Sequence, residues 1–343
     1  MKLALLGFGN VGQGLAKILV EKREHLRERY GFEYAVVGIY DISLGGVCLP
    51  AGEIDLERLL EIVRGGGLIS DYEGADPDLD SLGLIEKSGA DVLIEMTYTD
   101  LETGQPAVGH CREALGRGMH VATSNKGPAA LAMKDLSRLA AENNCRFRIE
   151  GTVMSGTPVI NLAVRNLAGC EISAFKGILN GTTNYILTRM EEGMTYDAAL
   201  EKAQELGYAE ADPTGDVEGW DALAKGVILA DLLMDKEFKI KEVPRKGISH
   251  LTPEDIEQAG REKKRWKLLV EGRKDGDRVT LKVEPVKVEL TDPLASVGGA
   301  TNAITFETDL LGPVTVVGAG AGRVETGFAL LADLLWIHEE TAG

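Results

Sequence analysis

Two lysines and a group of carboxylates are the residues in this chain best suited to moving a proton. Asp221 and Lys225 lie four residues apart in "WDALAKGVILADLLM", so on a helix they share one face about one turn apart. A lysine in so apolar a run is either a snorkelling surface residue or a functional cation, and Asp–Lys pairs at this spacing are also ordinary surface features. Just upstream, "EADPTGD" brings Glu210, Asp212 and Asp216 close to Asp221. So many like charges repel, and a cationic ligand relieves them. The ammonium group of an amino acid is a suitable ligand, which leaves Lys225 to face a substrate oxygen. The second lysine, Lys126 in "HVATSNKGP", follows a β-type run. Open α/β sheets bind ligands at that end of a strand.

A cofactor that exchanges hydride would complete such a site, and the N-terminus supplies its signature. "LALLGFGNVGQG" sets Gly7, Gly9 and Gly12 in G-x-G-x-x-G register, with Phe8, Asn10 and Val11 between them. The first glycine allows a tight turn, the second lets backbone approach a pyrophosphate, and the third lets helix and strand pack closely; the helix N-terminus adds N–H donors. Asp41 ends the second strand 29 residues after Gly12, beyond the usual spacing of roughly 20, because the first helix is long. Its carboxylate suits ribose hydroxyls and repels a 2′-phosphate, so NAD is expected over NADP. Two lysines, a nicotinamide and acids that collect an ammonium group point to hydride transfer to or from an amino-acid alcohol, with a lysine moving the hydroxyl proton.

The elements that must position these groups follow from periodicity. "KLALLGFG", "YAVVGIYD", "DVLIEMT" and "HVATSN" are short apolar runs bounded by turn residues, with helical spacing between them. This alternation predicts an α/β fold with a Rossmann-type, doubly wound parallel sheet over residues 1–143. Beyond it, "RFRIEGTV" and "ISAFKGILN" read as strands, "TNYILTRMEEG", "TYDAALEKAQELG" and "WDALAKGVILADLLM" as helices, and "RVTLKVEPVKVEL" and "ITFETDLLGPVTVVG" as antiparallel strands that Pro285 and Pro313 assign to edges. A second, α+β domain is expected over 144–317 and a terminal helical segment over 318–343. "REKKRWK" reads as a solvated helix face.

Composition excludes several classes. A net charge of −17 disfavours nucleic acid and anionic membrane as partners. The four cysteines form no CxxC pair, the N-terminal apolar stretch is too short for a signal peptide, and no window approaches a membrane span. A cytoplasmic protein with reduced thiols is expected.

The order of motifs resembles the homoserine dehydrogenase family. "AQELGYAEADPTGDVEGWDALAK" (203–225) is similar to that family's signature, and "GFGNVG", "SNKGP", "EGTVMSGTPVI", "GILNGTTNYIL" and "GAGAG" follow the family's order over nearly the whole chain. The resemblance implies NAD(P)-dependent interconversion of L-homoserine and L-aspartate 4-semialdehyde, on the route to threonine, methionine and isoleucine, by a homodimer formed largely through the second domain. It implies that Lys225 is the general acid/base and that Lys126 is a second lysine near substrate and nicotinamide. Glu210 and Asp221 would hold the substrate's amino group, with Asp216, Tyr208 and Thr182 around it. Thr97, Gly207 and Gly322 would contact cofactor, the terminal helix returning to the nucleotide domain. Glu150, Val153, Ser155 and Thr157 match a loop that binds sodium mainly through backbone carbonyls. The chain's end soon after the last helix leads us to expect no regulatory extension. The readings weighed against this one are a non-catalytic NAD-binding sensor and a related reductase of another semialdehyde; the acidic loop around Glu210, which expects an ammonium group, speaks for homoserine.

Overall fold

Along the first strand, β1 (Lys2–Leu6), successive side chains point to opposite faces. Leu3 and Leu5 enter one hydrophobic cluster and Ala4 and Leu6 another. A strand apolar on both faces needs cover on both, which a parallel sheet with flanking helices provides. The structure is a computed structural model that describes residues 1–341. It holds β1, β2 (Ala35–Asp41), β3 (Gly45–Cys48), β4 (Val92–Glu95), β5 (His120–Thr123) and β6 (Phe147–Arg148) in one sheet, in the order β3-β2-β1-β4-β5-β6. All neighbours are parallel except β3, which pairs antiparallel with β2 at the edge.

This sheet belongs to a unit made of Met1–Gly156 and the segment from Gly322 onward. The helices Asn10–Tyr30 and Arg323–Thr341 cover the Leu3/Leu5 face, contributing Leu15 and Leu19 from one and Leu330, Leu334 and Ile337 from the other. Each such side chain stabilises by about 1.5–3 kcal/mol when fully buried. Two glycines let these helices touch: a Cβ on Gly14 would stand 2.1 Å from the Arg323 carbonyl oxygen, and one on Gly327 would stand 2.7 Å from the Leu15 nitrogen. The Ala4/Leu6 face is covered by Cys111 and Leu115 of the helix Ala107–Gly116 and Leu136 of Met133–Glu142.

Two details differ from the sequence expectation in this unit. Strand β3, with two glycines in four residues, is too short to carry a period-2 signal. In "RFRIEGTV", only Phe147 and Arg148 pair, in parallel with β5, and Glu150–Thr152 coils into a 3₁₀ turn.

The second unit, Thr157–Ala321, is built on an antiparallel sheet of β7 (Ile172–Ile178), β8 (Lys264–Asp275), β9 (Arg278–Glu289), β10 (Thr301–Thr308) and β11 (Gly312–Ala319), in the order β11-β10-β7-β8-β9. Pro285 in β9 and Pro313 in β11 lie on the two edges, where a missing N–H costs no ladder bond. The helix Trp220–Met234 lies so close to the sheet that a Cβ on Gly226 would meet Val270 at 2.5 Å and Leu281 at 3.2 Å.

The solvated helix face expected for "REKKRWK" is not found. The helix stops at Arg261, and β8 begins at Lys264. Lys267 is 0% exposed and donates to Asn184 Oδ1 at 3.0 Å and to the Val297 carbonyl at 2.7 Å. Charge density hid a strand whose buried lysine satisfies itself inside the unit. Burial pushes the Lys267 ammonium down to about 8, opposed by the Glu191 carboxylate and aided by Arg265. Burial also pushes Glu191 up. The folded state therefore binds fewer protons than the unfolded chain between about pH 8 and about pH 10.4, so stability rises with pH across that window. Lys267→Met should lack this rise. Urea unfolding at both ends of the window should show the natural chain gaining on the order of 3 kcal/mol relative to the variant. A difference that stays flat with pH would remove this assignment of Lys267.

Candidate functional site

In the second unit the chain leaves β7 through Leu179 and enters the helix Gly181–Glu191, capped by Asn180, whose Oδ1 accepts from the Thr183 N–H at 2.9 Å. Leu179 and Asn180 meet the first turns of the helix Trp220–Met234. Lys225, 7% exposed, donates from Nζ to the Leu179 carbonyl and to Asp221 Oδ2, both at 2.7 Å. Asn180 Nδ2 donates to Asp216 Oδ1 at 2.6 Å and to the same Asp221 Oδ2 at 3.0 Å. One buried amide thus bridges two carboxylates, and one of these holds the lysine. Asp221 sits in the first turn of its helix, where the helix dipole favours a negative charge.

Burial pushes the Asp216 carboxyl above its ordinary value, and the neighbouring Asp221 adds to the effect against Asn180 and Lys225. Thr182 Oγ1 donates to the Tyr208 carbonyl at 2.6 Å, and the Tyr208 ring lies 5.0 Å from Tyr185. Lys225, Asp221, Asp216, Thr182 and Tyr208 are therefore linked through Asn180 and the start of its helix. Glu210 is exposed on the loop, where its carbonyl accepts from Gln204 Nε2 at 3.0 Å, and Gly207 turns the chain at φ +73° just before Tyr208. Asn180 and Leu179 were not singled out in the sequence. The signal for Asn180 was present, since asparagine directly before "GTT" at a strand-to-helix junction is a favoured helix cap; a backbone carbonyl such as Leu179's leaves no such trace.

The first unit carries the glycine turn. Gly7 has φ +90°, and a Cβ there would stand 2.5 Å from the Met96 carbonyl; one on Gly12 would stand 2.4 Å from the Gly7 carbonyl. Gly9 has open space about its Cβ position. It caps the helix Asn10–Tyr30 with no side-chain bond, and no acid occupies the first turn, so the N-terminal N–H groups of Asn10, Val11 and Gly12 fit a dinucleotide pyrophosphate. The turn lies at the switch point of the sheet, where β2 and β4 flank β1 on opposite sides. Phe8 is wholly buried, its N–H donates to Asp41 Oδ2 at 2.8 Å, and its carbonyl accepts from Gln13 Nε2 at 2.9 Å. It shapes the turn. Asp41 also accepts at Oδ1 from the Ser43 N–H and hydroxyl, both at 2.9 Å. Each carboxylate oxygen has two lone pairs, which leaves capacity for ribose. Arg58 lies 3.6 Å from Glu73 and over the Tyr72 ring.

Past β4 and β5, Thr97 and Lys126 stand on adjoining loops, with Asn125 Nδ2 donating to the Thr97 carbonyl at 3.1 Å. Lys126, half-buried, begins a short helix capped by Asn125. Gly322 has φ +145° and precedes the last helix, where Thr326 Oγ1 returns a bond to its carbonyl at 2.8 Å. Of the positions similar to a cation loop, Glu150, Val153 and Ser155 lie in the first unit and are buried, while Thr157 begins the second. Met154 and Ser155 both adopt positive φ, which redirects successive carbonyls. No cluster of three or more His, Cys, Asp or Glu able to hold a metal occurs among the described residues.

The chain is similar in sequence and in fold to known proteins. A family model described as homoserine dehydrogenase matches residues 158–335. The chain is 46% identical over 339 residues to the NAD(+)-dependent homoserine dehydrogenase of Pseudomonas canavaninivorans, covering 98% of this chain and 96% of that one. It is 44% identical over 342 residues to the homoserine dehydrogenase of Methanocaldococcus jannaschii, covering 99% of each. Among solved structures, a putative homoserine dehydrogenase from Archaeoglobus fulgidus superposes with a TM-score of 0.88 at 40% identity, over 98% of this chain and 99% of that one. A hyperthermophilic archaeal homoserine dehydrogenase in complex with NADPH gives 0.85 at 31% identity, over 99% and 98%.

Asn180→Ala removes a helix cap and the bridge between two carboxylates, and should cost about 1–2 kcal/mol. The bond to Asp216 favours its ionised form, so the cost should shrink once that carboxyl is protonated. Urea unfolding at about pH 8 and about pH 4 should give the larger loss at the higher value; an equal loss at both would separate Asn180 from the acidic pair.

Proposed function

The chain belongs to the homoserine dehydrogenase family, and from that premise we propose that Lys225 is the group that moves the hydroxyl proton. The reaction is the NAD(P)-dependent interconversion of L-homoserine and L-aspartate 4-semialdehyde. Bound nicotinamide supplies or accepts the hydride at the carbonyl carbon. The observation that carries the role of Lys225 is its buried ammonium, held by the Leu179 carbonyl and Asp221. An ammonium has three donors, and the third N–H finds no partner among the described residues. In the direction of reduction this N–H gives its proton to the aldehyde oxygen as the carbon receives hydride. In oxidation the resulting amine takes the hydroxyl proton, and Asp221 stabilises the ammonium that forms.

Glu210 and Asp221 serve the substrate's ammonium group, with Asp216, Thr182 and Tyr208 beside them. Lys126 stands near substrate and nicotinamide, and Thr97, Gly207 and Gly322 contact the cofactor. The glycine turn and Asp41 favour NAD over NADP, a preference supported by the absence of a basic residue in "YDISLGG". Glu150, Val153, Ser155 and Thr157 hold a sodium ion through carbonyls, supported by the positive φ of Met154 and Ser155. The active form is a homodimer joined through the second unit, where Leu290, Leu310, Leu311 and Val317 expose apolar surface; a sedimentation mass of one chain would remove this. The enzyme is cytoplasmic, a reading supported by four unpaired cysteines; no described helix is long and apolar enough to cross a membrane.

Homoserine oxidation followed at the nicotinamide absorbance tests these roles together. Lys225→Met should lower kcat by about 10²–10⁴-fold while dinucleotide binding persists, and near-normal turnover by the folded variant would end the assignment. The ratio of kcat/KM with NAD and NADP judges Asp41, and replacing sodium chloride by choline chloride judges the ion.

A further inference from the structure

Three of the four residues of β4 are apolar, and the fourth is a carboxylate with no exposure at all. Glu95 closes the strand at 0% exposure. Transfer of a carboxylate into such a place is unfavourable unless donors surround it. They do. The Thr97 N–H donates to Oε1 at 3.2 Å, the Thr97 hydroxyl donates to the same oxygen, and Thr123 Oγ1 lies 3.3 Å from Oε2 and 2.9 Å from the Glu95 carbonyl. On the other side stands His110, 3% exposed, with Nδ1 3.5 Å from Oε1 and Nε2 2.9 Å from Ser81 Oγ. That Nδ1 has no hydrogen-bond partner among the described residues.

The network continues outward. Thr123 Oγ1 accepts from the Asn125 N–H at 2.9 Å, and Asn125 Nδ2 donates to the Thr97 and Tyr98 carbonyls at 3.1 and 2.8 Å. Asn125 Oδ1 accepts from the Gly127 N–H at 2.9 Å, which starts the helix that Lys126 opens. Packing alone would be served by a fourth apolar residue. What Glu95 adds is direction: it turns both donors of Thr97 inward and, through Thr123 and Asn125, ties that loop to the one bearing Lys126.

We propose that Glu95, backed by His110, is a positioning residue for the cofactor site, setting the two loops that present Thr97 and Lys126. This rests on the reading that Thr97 contacts the dinucleotide. Glu95→Gln keeps the shape and removes the charge. Dinucleotide Kd, read by NADH fluorescence, and dinucleotide KM should rise roughly tenfold, while homoserine KM stays within about twofold and the thermal midpoint is measured beside them. Glu95→Gln added to Thr97→Val should weaken binding by less than the product of the two single effects, because the two substitutions share the bond from the Thr97 hydroxyl. If Thr97→Val weakens dinucleotide binding and Glu95→Gln does not, the inference fails while the cofactor reading stands. If Thr97→Val itself changes nothing, the reading fails and takes the inference with it. Should Glu95→Gln not fold, His110→Gln provides the second measurement: a dinucleotide Kd raised by about threefold or more supports the proposal, and an unchanged one overturns it.

Discussion

A lysine ammonium taken out of water must find replacement partners, and in the second unit that requirement organises the surroundings of Lys225. The Leu179 carbonyl and Asp221 meet it. Asp221 then needs a donor of its own, which Asn180 supplies while also engaging Asp216. Asn180 can do so only because β7 ends where the next helix begins, so its cap position and its bridging role are one placement. Removing any member leaves a buried charge or amide short of a partner, which is why networks of this kind hold a single geometry.

The first unit meets a different constraint, that of packing a backbone turn tightly between β1 and the helix Asn10–Tyr30. Glycines clear the space, an uncapped helix end offers donors, and Asp41 holds the turn by the Phe8 N–H. The same carboxylate is thus part of the scaffold as well as a candidate ribose acceptor. A charge-removing substitution there would disturb turn geometry and cofactor preference together, so the two effects need separate readouts.

Much of this was legible in the sequence, because period and punctuation survive in it. The four central parallel strands, the long first helix, the run Trp220–Met234 and the edge prolines were read from apolar spacing and proline chemistry alone. Lys225 and Asp221 could be paired because a helix fixes i to i+4. What could not be read were relations between segments far apart in the chain. Asn180 reaches Asp216 and Asp221 across some forty positions, Lys267 reaches Asn184 across more than eighty, and no local period records either. The charges of "REKKRWK" also masked the start of β8, since a buried lysine satisfied by an amide and a carbonyl looks, in one dimension, like a solvated one.

The crossing of the helices Asn10–Tyr30 and Arg323–Thr341 at Gly14 and Gly327 has a bearing on how the protein is made. The face of the first sheet that carries Leu3 and Leu5 takes part of its cover from residues synthesised after the whole of the Thr157–Ala321 unit. With translation at about 5–20 residues per second, that apolar surface waits on the order of tens of seconds for the helix Arg323–Thr341. The intervening Thr157–Ala321 segment is continuous and has its own sheet, so it can finish first. The nascent chain therefore carries an incomplete amino-terminal core while that segment is being made.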